Sequence, residues 1–215
     1  MGIDRTGSNS YIICTSSTRP ASPAEGVIIY ETDTNLSYYY DSAAWRLNGV
    51  QVVGHSALGG SAASISITLP SITNGLHLIV ETLVQSDTTS NDITLQPNGD
   101  NTSGNYFHQF MYGQNATAAA NQSAATGARM SLVDNGSTYW ANGIAWVFNY
   151  AGSGQKTIQT NYGSPYGLTT TAVTLFEHCV WKSTAAITSI TIKSTAASSN
   201  LRAGSMATVK VIGSI

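Results

Sequence analysis

Charge is the scarcest feature of this chain. Of 215 residues, 9 are Lys or Arg and 11 are Asp or Glu, 9% in all, against about a quarter in an average soluble domain. A formal net charge of −2 with no basic cluster excludes nucleic-acid binding that tracks phosphates, which needs grouped cations to displace counterions. It also excludes docking to anionic membranes. No apolar run approaches the ~20 residues of a membrane-spanning helix, and the opening MGIDRTGSNS lacks the apolar core of a secretory signal. Cys14 and Cys179 are the only thiols, too few for a disulfide framework or a four-thiolate zinc site. They are expected as two separate small apolar residues, with a Cys14–Cys179 bridge as the alternative. Helical periodicity is missing as well: nowhere do apolar residues recur at three- and four-residue spacing for more than two turns.

What is present is Ser and Thr, 53 residues together, in a chain that is 42% hydrophobic with 11 Tyr and 4 Trp. Such a chain can bury a core. Ile65, Ile67 and Leu69 alternate with Ser and Thr and stop at Pro70, the pattern of a half-buried strand. Ile187 to Ile192 and Val209 to Val211 read the same way, and longer strands are expected over 76–85, 143–150 and 170–182. Asn-Gly pairs at 74–75, 98–99, 135–136 and 142–143 supply turns. Many short strands with frequent turns predict an all-β antiparallel sandwich. The stretch 114–128, rich in Ala, Asn and Gln with no large apolar residue before Ala128, is expected as an exposed loop.

Residues 1–50 differ from the rest. Val27 to Glu31 and Leu36 to Tyr40, joined by Thr-Asp-Thr-Asn, predict a hairpin. A hairpin this small is marginal alone and must lean on the main domain or on a partner. Residues 51–63, VVGHSALGGSAA after Gln51, read as a flexible linker by composition, which leaves 64–215 as the main domain.

No enzymatic constellation emerges. The four His residues are scattered, and no G-x-S-x-G elbow, Walker motif, G-x-G-x-x-G or EF-hand loop occurs. Glu177-His178-Cys179 is the nearest approach to a metal site. Adjacent strand residues point to opposite faces, so only Glu177 and Cys179 could share a ligand sphere. Glu81, inside the apolar run LIVETLV, lacks the second carboxylate that glycan cleavage needs. No catalytic residue, cofactor or required metal is expected.

Two sets of residues carry a resemblance. Arg19-Pro20-x-x-Pro23-x-x-Gly26, followed by IYETDTNLSYYYDSAAW (29–45), resembles a short module of tail-fibre and other virion proteins of tailed bacteriophages. The segments LQPNGDNTSGNY (95–106), FNYAGSGQK (148–156), VWKSTAAITSITI (180–192) and NLRAGSMATVKVIGSI (200–215) are similar, in that order, to the C-terminal β domain of many phage structural proteins. Gln85 and Val211-Ile212 depart from that pattern. The resemblance implies a jelly roll of the tumour-necrosis-factor type, preceded by an extended arm with a small hairpin. It also implies a homotrimer in a virion, assembled in the host cytoplasm.

The expected role is therefore a capsid decoration or head-fibre protein held to the major capsid protein through its N-terminal arm. The alternative is a tail-fibre or receptor-binding protein that contacts tail proteins or host surface glycans. Within the arm, Tyr11, Ile13, Ile28 and Tyr30 are expected to add as strands to a neighbouring sheet edge. Tyr38, Tyr40 and Trp45 supply the aromatic density typical of anchors. Phe148, Tyr150 and Trp181 are the candidates for core or subunit contacts.

Overall fold

A computed structural model describes residues 11–71, 75–87, 91–114, 117–133, 140–166 and 171–213. Every regular element among them is a strand. The first four strands are β1 (Ile12–Cys14), β2 (Ile28–Glu31), β3 (Leu36–Tyr40) and β4 (Trp45–Leu47), and they form one sheet in that order. β1 runs parallel to β2, and the other pairs are antiparallel. The expected hairpin is β2–β3, at the centre of this sheet. Residues of the first motif fasten it. Arg19 ion-pairs with the fully buried Glu31, and its guanidinium lies 4.4 Å from the Tyr38 ring centre. Thr34 Oγ1 donates to the second Glu31 oxygen at 2.9 Å. Asp33 accepts from the Ser16 backbone and hydroxyl at 2.9 and 2.6 Å. Gly26, at φ 82°, supplies the bend and donates its N–H to Tyr40 O.

The rest of the chain is a β-sandwich. β5 (Val50–Ala57), β7 (Gly75–Val84), β9 (Tyr106–Gln114), β10 (Thr117–Ala125), β12 (Ala141–Phe148), β13 (Lys156–Tyr166), β14 (Thr171–Trp181) and β16 (Met206–Gly213) form an eight-stranded sheet. Its order is β10-β9-β14-β13-β12-β7-β16-β5. β6 (Ser64–Thr68), β8 (Asn91–Pro97), β11 (Ala128–Val133) and β15 (Ser189–Ser194) form a second sheet in the order β11-β8-β15-β6. All pairings in both sheets are antiparallel. Alternation sorts the side chains. Leu78, Val80, Ala145, Val147, Val209 and Val211 turn inward from the large sheet, as do Ile65, Ile67, Ile93, Leu95, Ile190 and Ile192 from the small one, and all belong to one buried core. Each large aliphatic side chain so buried contributes about 1.5–3 kcal/mol.

Two segments correct the composition-based reading. Residues 51–57 of the expected linker lie in β5, paired to β16 through Val52–Lys210 and its neighbours. The small residues there reflect close packing: a Cβ on Gly54 would collide with the Ile67 side chain. Within the expected loop 114–128, Thr117–Ala125 is β10, which pairs along β9 from Thr117–Gln114 to Ala125–Tyr106. An edge strand is held by backbone hydrogen bonds on one side and needs no large apolar residue for that.

The N-terminal sheet leans on the sandwich. Ile29, Leu36, Tyr38 and Leu47 belong to the same buried core as the main domain. Ser37 N–H donates to Gln51 Oε1 at 2.7 Å, and Gln51 Nε2 donates back to Ser37 O at 2.7 Å. At the far end of β16, Gly213 N–H donates to Gly49 O at 3.1 Å. A side chain on Gly213 would strike the Leu47 carbonyl.

Residues of the second motif converge on one polar knot. Asp100 accepts from Trp181 Nε1 at 2.7 Å, Asn105 Nδ2 at 2.8 Å and Thr102 N at 2.9 Å. Tyr106 OH donates to Asp100 O at 2.7 Å. Partial burial raises the Asp100 pKa, but the donors, Trp181 foremost, outweigh that and hold it below its usual value. Asp100→Ala leaves the indole N–H of the buried Trp181 without its acceptor. An expected loss of about 1–3 kcal/mol follows, readable as a lower urea midpoint with unchanged slope. The carboxylate's contribution is complete above the ordinary Asp range and disappears as pH falls through its lowered folded value. The wild-type advantage over Asp100→Ala should therefore shrink in acid, and an advantage independent of pH would refute the assignment.

Candidate functional site

The two outer faces of the sandwich differ in kind. On the small sheet the outward positions of β6 and β15 are Ser64, Ser66, Thr68, Ser189, Thr191 and Lys193, with Ser66 and Thr191 hydroxyls 3.1 Å apart. That face suits water. On the large sheet, register places outward-facing residues side by side in rows. One row runs Val50, Ile212, His77, Phe148, Thr157, Val180, Phe107. The next contains Val52, Lys210, Ile79 and Trp146, and a third contains Glu81, Ile144, Phe176 and Met111. Val50, Val52, Phe107, Met111, Phe176 and Leu83 are exposed. Two of the charges on this face neutralise each other, Lys210 Nζ sitting 2.7 Å from Glu81, and Lys182 Nζ lies 3.9 Å from the Phe107 ring centre. The second row continues through Gln159, His178 and Gln109, and the third includes Thr208 and Asn161. The face is therefore charge-poor, with exposed apolar patches toward its two edges separated by neutral polar residues, a composition that interfaces share.

A second surface lies on the N-terminal sheet. Tyr11, Ile13, Tyr30, Ser37, Asn48 and Gln51 line an open groove of about 440 Å³. Tyr11 is 54% exposed and Ile13 72%, unusual for residues of that size. β1 is also the edge strand of its sheet, so its outer backbone groups are available for pairing.

The expected interface residues separate into three groups. Tyr11, Ile13 and Tyr30 are at the surface, in the groove. Ile28 is half-buried, and Tyr40 and Trp45 pack against each other with ring centres 5.3 Å apart. Tyr38, Tyr150 and Trp181 are core residues. Burial pushes the Tyr150 hydroxyl up to about 12. Phe148 lies on the outer face of the large sheet, edge-on to His77 at 4.8 Å, beside the outward Trp146 and the inward Val147. The exposed Met111 and Phe176 are not legible from sequence as contacts, whereas Phe107, an aromatic that the sequence offers for stacking on host sugars, is exposed. Their signal is alternation with Tyr106, His108, Phe110 and Glu177, which reads as two-sided only once the partner sheet is known.

One polar cluster sits inside the sandwich. β14 turns Glu177 and Cys179 inward, and β9 places His108 directly across from Cys179. All three are buried. His108 Nδ1 lies 2.8 Å from Glu177 Oε1, and His108 Nε2 lies 4.0 Å from Cys179 Sγ. Arg129 N–H donates to Glu177 Oε1 at 3.0 Å, while the Arg129 guanidinium pairs with Asp92 at 3.1 Å and lies over Phe110. Burial raises the Asp92 carboxyl. Burial, reinforced by the Glu177 charge, pushes the Cys179 thiol far above its usual value, so Cys179 as it stands is no nucleophile. Reading β14 alone pairs Glu177 with Cys179, and the neighbouring strand adds His108.

No family model matches the chain, and the search of curated proteins found no relative.

Proposed function

We propose that this chain is a non-enzymatic structural protein of a tailed-bacteriophage virion, a homotrimeric capsid decoration protein attached through its N-terminal sheet. The observation that carries the reading is the contrast between outer faces: Ser/Thr on the small sheet, and on the large one the exposed Val50, Val52, Phe107, Met111 and Phe176 among mostly neutral polar residues. Water favours the first and disfavours the second. A second copy of the chain is the occupant that fits, because Lys210 and Glu81 already pair with each other and so charge-poor a face can be covered by a neighbouring subunit without stranding an ion.

Strand order supports the jelly-roll form. β5-β16-β7-β12 stands opposite β6-β15-β8-β11, and the chain alternates between the two sheets from β5 to β8. The hairpins β9–β10 and β13–β14 widen the first sheet. The number three and the phage setting come from the resemblance of the two motifs, and the preference for the capsid over a tail fibre rests on the sequence's lack of a shaft-like repeat.

Light scattering of the purified protein tests the assembly: three times 22.6 kDa is the expected mass, and a stable 22.6 kDa monomer overturns it. Copies per particle test the location. A number matching the capsid lattice supports decoration, and the few copies of a tail part would make this a fibre or adhesion protein.

A further inference from the structure

We propose that His108, Glu177 and Cys179 hold a zinc ion inside the sandwich, cross-linking β9 to β14. One donor atom from each residue lies within 4.8 Å of the other two. The set offers one nitrogen, one oxygen and one sulfur, the borderline mixture that suits Zn²⁺ better than the hard cations Mg²⁺ or Ca²⁺. An independent observation points to a ligand at this place. Glu177 Oε2 is buried with no hydrogen-bond partner, while Oε1 already serves His108 and Arg129 N–H. An unpartnered carboxylate oxygen in a core is costly, and a bound cation removes that cost.

Charge balance favours the same conclusion. A zinc ion at +2, a Cys179 thiolate, a Glu177 carboxylate and a neutral His108 sum to zero, the total a desolvated interior tolerates. Arg129 does not upset that sum, because its guanidinium is committed to Asp92. Geometry is compatible too. The donor atoms lie within 4.8 Å of one another, against about 3.3–3.5 Å across a tetrahedral zinc, so the side chains close by about 1 Å and His108 exchanges its Nδ1 hydrogen bond to Glu177 for the metal. A water completes the fourth position. Binding converts Zn²⁺ and the thiol into a zinc thiolate and releases one proton to solvent; no electron moves. Since the site is closed, the ion enters during folding. The site is internal and separate from the proposed assembly face, so the two proposals stand or fall independently.

The test uses the full chain, unfolded, stripped of metal, then refolded with Zn²⁺ and dialysed. About one zinc per chain is expected, with a melting temperature at least about 5 °C above that of protein refolded without metal. Refolding with Co²⁺ should give a thiolate-to-metal absorption band. The chain has two cysteines, so Cys14→Ser, at a partly buried position of β1 packed at the margin of the core and outside the His108–Glu177–Cys179 cluster, identifies the sulfur. The band retained in Cys14→Ser assigns it to Cys179. Less than about a tenth of a zinc per chain, cobalt bound without a thiolate band, or a band abolished by Cys14→Ser would each overturn the proposal.

Discussion

Met111→Glu combined with Phe176→Glu is expected to convert the proposed trimer into 22.6 kDa monomers that remain folded. The two residues are direct partners across β9 and β14. Both point away from the core, 60% and 43% exposed. In an isolated chain the new carboxylates stay in water, so folding should weaken by only about 1 kcal/mol, through the lost cross-strand contact and the like charges now opposite each other. In the assembly the same carboxylates would be stripped of water with no cation opposite, at an effective cost of several kcal/mol each. That sum exceeds what a subunit contact of ordinary size can absorb, and dissociation is the expected outcome. Light scattering reads the mass, and urea unfolding of the monomer reads the stability. Ser66→Glu with Thr191→Glu, the same charge placed on the polar face, should leave the mass untouched. If the Met111/Phe176 variant keeps the trimer mass, the large sheet's outer face is not where the copies meet.

Loss of particle attachment is the second large effect. The triple variant Tyr11→Ser, Ile13→Ser, Tyr30→Ser should fold and assemble normally but fail to occupy virions. These side chains line the groove and are exposed, so removing them leaves no cavity in the core. Aromatic anchors at interface centres are worth about 2 kcal/mol or more each, so three lost together should weaken binding by at least about a hundredfold even if non-additive. Occupancy of particles incubated with variant and wild type is the measurement. Full occupancy by the variant would remove the N-terminal sheet from the attachment role. Deleting residues 1–48 is a poorer experiment. It also removes Ile29, Leu36, Tyr38 and Leu47 from the shared core, so lost attachment could not be told from lost folding.

The motif residues explain how much of this protein is readable without coordinates. Alternation at Ile65, Ile67 and Leu69 and at Val209 and Val211 identifies strands because a two-residue period has one structural meaning. The Thr-Asp-Thr-Asn turn between β2 and β3 was legible for the same local reason, and Asn35 takes the positive φ of 56° that such turns invite. Composition misled where small residues have two uses. Gly54 and its neighbours look like linker yet form β5, since a glycine that frees a chain also lets two strands approach. Ala, Asn and Gln in β10 look like loop because an edge strand borrows its order from the neighbour's backbone.

The sequence by itself therefore determined the class, all-β and poor in charge, together with the positions of about half the strands and the lack of a recognisable catalytic motif. These follow from local periodicity and composition, which need no partner strand to be read. Tertiary structure alone decided which face of each strand is covered. It sent Tyr38, Tyr150 and Trp181 into the core and left Tyr11, Ile13 and Tyr30 at the surface, although all six look alike as large apolar residues in strand-like runs. It also brought His108 to Glu177 and Cys179 across 69 and 71 residues of chain. The physical reason is the same in both cases: strand pairing is long-range, and the choice between core, surface and cluster is made by a neighbour that sequence spacing does not name.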